Sequence, residues 1–210
     1  MSLNINNFHS GDATIAKPTY YINDSFETYQ SGSVWLSGKT QNNTTTAGTY
    51  FSAQALALCT TANFSPAGIQ SVAKVPNNFT MKLRMVVQSS MGIYWDLPRV
   101  TSYDSYGGPE SSFSRWLTID ASGCYLHYKV DGKSYTSAGA EHDGKWKNQW
   151  RDVVISQNND IVTVTVDGVQ WMTGAMQWNS DGGDYVVIST GCWTGHDVYI
   201  DSIRVMDYKK

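Results

Sequence analysis

A chain of 210 residues that sets 15 lysines and arginines against 18 aspartates and glutamates carries a formal charge of −3, and only 16% of it is charged. Such a surface has no basic stripe with which to release counterions from a phosphate backbone, which argues against nucleic acid as a partner. No run approaches the ~18 apolar residues of a membrane span, so membrane insertion is not expected either.

The opening stretch, MSLNINNFHSGDATIAKPTYYIN, lacks the basic segment and apolar core of a secretory leader. Beyond Leu3, Ile5, Phe8 and Ile15 it holds few large apolar residues, too few for a core of its own. Residues 1–23 therefore read as an arm that docks on another chain of an oligomeric assembly, and residues 24–210 as one domain.

From Asp24 onward helical periodicity is nearly absent and period-two runs recur between Gly, Asn and Asp clusters, the pattern of an all-β protein. Trp35 is expected in the core. In FTMKLRMVV, Phe79, Met81, Leu83, Met85 and Val87 share one face, and Thr80, Lys82 and Arg84 the other. GIYWDLPRVTSYDSYGGPE reads as a loop region rich in aromatic and polar residues, after which Trp116 returns to the core. CYLHYKV and KSYTS flank Asp131-Gly132, a two-residue hairpin turn. Trp150, also expected in the core, opens RDVVISQNNDIVTVTVDGVQWM. That segment is a three-stranded meander with Val153, Ile155, Val162, Val164 and Val166 inward and Asp167-Gly168 as its second turn. In the last strand, DVYIDSIRVMD, the apolar parity changes between Ile200 and Ile203, which a bulge near Asp201-Ser202 would reconcile.

Cys59, Cys124 and Cys192 are an odd number without metal spacing, so at least one free thiol is expected. His9, His127, His142 and His196 likewise lack ligand spacing. The pairs His142-Asp143 and His196-Asp197 read as solvated turns.

NDSFETY, WRDVVISQNNDIVTVTVDGVQW and DVYIDSIRV, in this order and spacing, resemble the opening strand, meander and closing strand of the concanavalin A-like lectin/glucanase superfamily, which includes laminin-G-like domains. The resemblance implies a two-sheet antiparallel jelly-roll sandwich. It also implies a structural calcium ion where the opening and closing strands meet, at Asp24, Glu27 and Asp201, because that ion takes hard oxygen ligands. Hydrolases of the superfamily carry E-x-D-x-x-E, whose two glutamates flank a glycosidic bond. Here Glu27, Glu110 and Glu141 stand far apart and the motif is absent. No catalytic residue is assigned, and the chain is expected not to be an enzyme.

Eight Trp and thirteen Tyr exceed the needs of a core. Flat rings beside carboxylates and amides suit the C–H faces and hydroxyls of a sugar, and they suit a protein interface as well. Trp95, Asp96, Arg99, Tyr103 and Tyr106, with Trp178 and Trp193 in MQWNSDGGDYVVISTGCWTG, are the expected ligand-binding residues. The expected function is that of a lectin-like component of a phage virion, a capsid decoration or tail adhesin that binds cell-surface glycans. The alternatives are a structural protein that uses the same aromatics against a neighbouring virion protein, and a glycoside hydrolase or lyase with an unusual carboxylate pair such as Asp96 and Asp184. A virion location is expected, with a cytoplasmic lectin-like protein as the competitor.

Overall fold

The computed structural model describes residues 19–27, 34–37, 44–50, 53–60, 63, 67–102, 104, 108–120, 123–141, 147–177, 185–191, 193 and 195–208, and none of these is helical. In chain order the strands are β1 (Tyr20–Asp24), β2 (Trp35–Ser37), β3 (Thr44–Tyr50), β4 (Ala53–Cys59), β5 (Gly68–Ser71), β6 (Phe79–Val87), β7 (Met91–Leu97) and β8 (Ser114–Ile119). They continue as β9 (Gly123–Val130), β10 (Lys133–Glu141), β11 (Arg151–Asn158), β12 (Ile161–Val166), β13 (Val169–Ala175), β14 (Tyr185–Thr190) and β15 (Val198–Asp207). An eight-stranded sheet runs β13-β12-β11-β6-β15-β4-β3, with β1 also on β15, and a seven-stranded sheet runs β10-β9-β8-β7-β14-β5-β2. The result is the expected all-β, two-sheet antiparallel sandwich.

Alternation builds the core. In β6, Phe79, Met81, Leu83, Met85 and Val87 are buried while Lys82 and Arg84 are exposed. β11 and β12 add Val153, Ile155, Val162, Val164 and Val166, and the other sheet answers with Met91, Ile93, Trp95, Leu117, Ile119, Leu126 and Ile188. Each such aliphatic side chain contributes roughly 1.5–3 kcal/mol when fully buried. The register of β15 shifts between Ile200 and Ser202, and Val198, Ile200, Ile203 and Val205 are all buried, as a bulge there requires. Asp131-Gly132 (φ 49° and 75°) and Asp167-Gly168 (φ 48° and 81°) both take the left-handed pair of a type I′ turn.

One end of the sandwich is fastened by Arg115, a charged residue that is 1% exposed because its alternation in β8 points it inward. Its guanidinium donates to the carbonyl oxygens of Gln177 (3.2 Å) and Asn159 (3.2 Å) and to Asp160 Oδ1 (3.3 Å), and its Nε lies 3.5 Å from Asp96 Oδ2. The cation thus ties β8 and β7 of one sheet to the β11–β12 turn of the other.

Several expectations are corrected. β1 begins at Tyr20 and pairs with β15, so residues 20–23 belong to the sheet and not to the arm; residues 1–18 lie outside the described residues. Trp35 is buried as expected, with Nε1 donating to Asp24 Oδ2 at 3.0 Å and its ring stacked near Phe26. Trp116 and Trp150 are half-exposed instead of core residues, because each falls on the outward parity of its segment. Cys124 is free and buried, its thiol pushed up to about 12 by burial and by Asp120; Cys59 is free and partly exposed. Cys192 lies outside the described residues.

Candidate functional site

The inward positions of β7, β8 and β9 fix what their outward positions hold. With Ile93, Leu117 and Leu126 in the core, Tyr94, Trp116 and His127 must face out. The strand register then aligns them, since Tyr94 opposes Trp116 and Trp116 opposes His127. Rings on three neighbouring strands therefore stand in one row perpendicular to the chain direction. Tyr94 and Trp116 have centroids 5.9 Å apart at 21°, Trp116 and His127 5.1 Å at 20°, and Tyr125 joins at 6.2 Å from His127. All four are half-exposed. Adjacent strands lie ~4.8 Å apart, so the row extends ~10 Å from Tyr94 to His127, and Tyr125 widens it along β9.

Small residues lie under and beside this row. Ser189 opposes Gly92, Gly92 opposes Thr118, Thr118 opposes Tyr125, and Tyr125 opposes Gly139. A Cβ on Gly92 would sit within 2.6 Å of the Tyr94 ring, and one on Gly139 would sit 2.7 Å from Tyr125 Cδ1. The glycines are what let the tyrosine rings lean along their strands against the sheet. His127 Nδ1 lies 3.0 Å from Thr136 Oγ1 on β10. Burial holds the His127 imidazole below its usual pKa, so at neutral pH it is an uncharged ring with one donor and one acceptor.

Beyond Tyr94 the same row continues to Val187 and Gln70, but there it is covered. Gln70 is 3% exposed and its Oε1 accepts the Val100 amide at 2.6 Å, which lays the segment after β7 over β14 and β5. The exposed rings are bounded on that side. The same segment carries Arg99, whose guanidinium is 5.1 Å from the Tyr185 ring centroid, while Lys74 Nζ approaches that ring at 6.0 Å.

Among the described residues, those expected to bind ligand (Trp95, Asp96, Arg99 and Trp193) are not brought together. Trp95 is 1% exposed in β7, where it packs edge-on against Phe79 and donates Nε1–H to Gln157 Oε1 at 2.6 Å. It belongs to the core because its parity matches Met91 and Ile93. Asp96 is 8% exposed, held against Arg115 with a φ of 56°. Arg99 is exposed over Tyr185. Trp193 is 46% exposed, but it follows β14 at the end paired with Met91, whereas Asp96 and Arg99 lie at the Leu97 end. Seven residues of β7 separate the two ends by ~20 Å. Tyr103, Tyr106, Trp178 and Asp184 lie outside the described residues.

The calcium set is also corrected. Among the described residues no group of three His, Cys, Asp or Glu is placed to hold a metal ion. Asp24 spends Oδ1 on the Phe26 amide (2.8 Å) and Oδ2 on Trp35 Nε1 (3.0 Å), so its carboxylate caps a turn and anchors an indole. Glu27 is exposed and Asp201 stands in the β15 bulge. Of the histidine-aspartate pairs, His196 is half-buried and its pKa is lowered by burial against the pull of Asp197. His142 lies outside the described residues.

No protein-family model matches the chain, and no curated protein sequence matches it either. Solved structures do. The carbohydrate recognition domain of Emp46p in its potassium-bound form superposes with a TM-score of 0.67 at 8% identity, over 91% of this chain and 97% of that one. A Bacteroides ovatus glycoside hydrolase family 16 protein from a mixed-linkage glucan locus, in complex with a G4G4G3G product, gives 0.65 at 10% identity over 88% and 99%. The carbohydrate-binding module CBM66 from Bacillus subtilis gives 0.52 at 9% identity over 85% and 96%. These neighbours are concanavalin A-like jelly-roll proteins, and the likeness establishes the jelly-roll fold for this chain. It also overturns the expectation that the chain is not an enzyme, since the same architecture carries glycoside hydrolases as readily as binding modules.

Proposed function

We propose that this chain recognises a glycan with the outward face of its seven-stranded sheet, across Tyr94, Trp116, His127 and Tyr125. The observation that carries the reading is the cross-strand row itself: register-aligned, half-exposed rings beside glycine, serine and threonine, on a face bounded by the segment that holds Arg99 and Val100. The stacked, half-exposed rings present apolar edges to the C–H groups of a sugar, and the neutral His127 and the half-exposed Thr118 supply partners for its hydroxyls. The carbohydrate recognition domain and the carbohydrate-binding module among the structural neighbours support it.

A glycan array probed with the wild type and with Trp116→Ala tests the reading. Specific signals that disappear in the variant are expected. Losing one stacked ring should cost ~1–3 kcal/mol, by analogy with bases stacked on aromatic side chains. An array on which both proteins behave alike would overturn it. Reducing-end release from the retained glycan decides in the same experiment whether recognition is coupled to cleavage.

The virion setting, and with it a capsid or tail location, rests on the sequence alone. A mass-spectrometric inventory of a purified particle that contains the chain would support it, and recovery only from host cytoplasm would refute it.

A further inference from the structure

The opposite face of the molecule, the outward side of the eight-stranded sheet, carries an unbalanced cluster of cations. Lys82 on β6 directly opposes Arg204 on β15, and on the next outward level Arg84 stands between Ser202 and Asp152. Arg84 is neutralised by Asp152 at 3.1 Å and its guanidinium lies 5.7 Å from the Trp150 ring centroid. Lys82 and Arg204 make no ion pair with any described residue. Like charges directly opposed across an antiparallel pair are destabilising, and this one is not relieved from within the sheet. Of the nearby carboxylates, Asp167 binds Arg151 at 2.7 Å, and Asp207 accepts the Tyr21 hydroxyl at 2.7 Å. Lys82, Arg84, Asp152, Val154, Ser202 and Arg204 line an open groove of about 280 Å³.

We propose that this groove is a second binding site, which takes the sulfate or carboxylate groups of an acidic polysaccharide. Sign and spacing both point there. The groove sets three cations against one carboxylate on a chain whose formal charge is −3, and at physiological salt a Debye length of ~8 Å screens the remote negative charge from a ligand lying in it. The cations repeat at ~4.8 Å across the strands and ~6.7 Å along them, a grid suited to a polymer with an anionic group on successive sugars. Ammonium and guanidinium groups form charge-assisted bonds to such oxyanions. The outward lining has Val154 as its apolar side chain, since Leu83 and Val153 are buried in the core, and the Trp150 ring beside it is taken up by Arg84, so the groove offers charge and no apolar pocket of the kind that anchors a protein hot spot. The site is independent of the aromatic row.

The test titrates the full chain with heparin as the sulfated polymer, with a neutral glucan and with single-stranded DNA, using wild type, Lys82→Gln/Arg204→Gln and Trp116→Ala. Heparin should bind the wild type, lose about tenfold or more in affinity for the double variant, which corresponds to ~1.4 kcal/mol, and bind Trp116→Ala as it binds the wild type. Binding should weaken as salt rises. Removing a like-charge pair should leave the melting midpoint of the double variant unchanged or higher, so lost binding cannot be lost folding. The proposal is overturned if the wild type does not bind heparin at low ionic strength, if the double variant binds as well as wild type, or if DNA binds as tightly as heparin. A wild type that binds heparin but no neutral glycan would sink the reading of the aromatic row and leave this one standing.

Discussion

Gly92→Ala is a single methyl that should empty one position of the aromatic row without unfolding the protein. The new Cβ would overlap Tyr94 Cε2 and lie 2.6 Å from both Cζ and the hydroxyl oxygen. No small adjustment accommodates that, so the ring must swing off the strand and leave its stack with Trp116. The lost aromatic pair is worth ~0.5–1.5 kcal/mol, while Ala in place of Gly inside a strand returns ~0.5–1 kcal/mol of backbone entropy. The net change in stability is therefore within ~1 kcal/mol, or about 4 °C in Tm for a chain of this size. Binding has no such offset, and one lost stacking ring should reduce affinity ~5- to 150-fold, the range that ~1–3 kcal/mol implies. Calorimetric titration with the glycan retained on the array, run beside near-ultraviolet circular dichroism of the Tyr94–Trp116 pair, measures both quantities. Gly132→Ala is the control. It lies in a turn at φ +75° with nothing near its added methyl, so it should lower Tm and leave affinity alone. Affinity within twofold of wild type in Gly92→Ala, or an equal loss in Gly132→Ala, would refute the reasoning.

Arg115→Leu should cost about 3–5 kcal/mol, because it leaves the buried Asp96 carboxylate uncompensated, whereas Asp160, with a side chain 60% exposed, simply rehydrates. Adding Asp96→Asn should recover much of that loss in thermal melts, and a double variant no more stable than the single would reject Asp96 as the source. Asp24→Ala should cost ~1.5–3 kcal/mol through its two hydrogen bonds, with no change in wild-type Tm on adding or chelating calcium. A calcium-dependent rise that vanishes in Asp24→Ala would restore the metal assignment. The pKa of His127 is held below its ordinary ~6.5, so on acidification the unfolded chain takes up a proton that the folded chain resists. Its contribution is then full above ~6.5 and erodes as the pH falls from there, and the Tm gap between wild type and His127→Gln should narrow from pH 7 to 5. A widening gap would contradict the assigned direction.

Much of the sandwich was legible because hairpin and bulge chemistry is local. Asp-Gly turns demand positive φ wherever they occur, and the parity change in DVYIDSIRVMD has one economical solution. The aromatic row was missed at a single step of phase. GIYWDL looked like a loop, yet Met91, Ile93, Trp95 and Leu97 keep period two, which puts Trp95 inside and Tyr94 outside. The same count in SRWLTI and GCYLHYKV turns Trp116, Tyr125 and His127 outward once Leu117, Ile119, Cys124 and Leu126 are taken as core. Arg115, a charge at an inward position between Asp96 and the β11–β12 turn, was a legible oddity too. What no single strand could supply is that Tyr94, Trp116 and His127 share one level, because register depends on how three segments meet. The buried Gln70 carries a similar lesson, since its cover comes from the remote Val100.

The phase of β7 through β9 has a practical corollary for anyone who wishes to redirect this surface. Tyr94, Trp116, Thr118, Tyr125 and His127 can be randomised together as a diversified paratope, because the residues that hold the sandwich together occupy the alternate positions of the same strands. Insertions are another matter. One extra residue in the middle of β7 would exchange the two sets, sending Trp95 to solvent and Tyr94 to the interior, so variation in length belongs in the hairpin connections and variation in chemistry on the sheet.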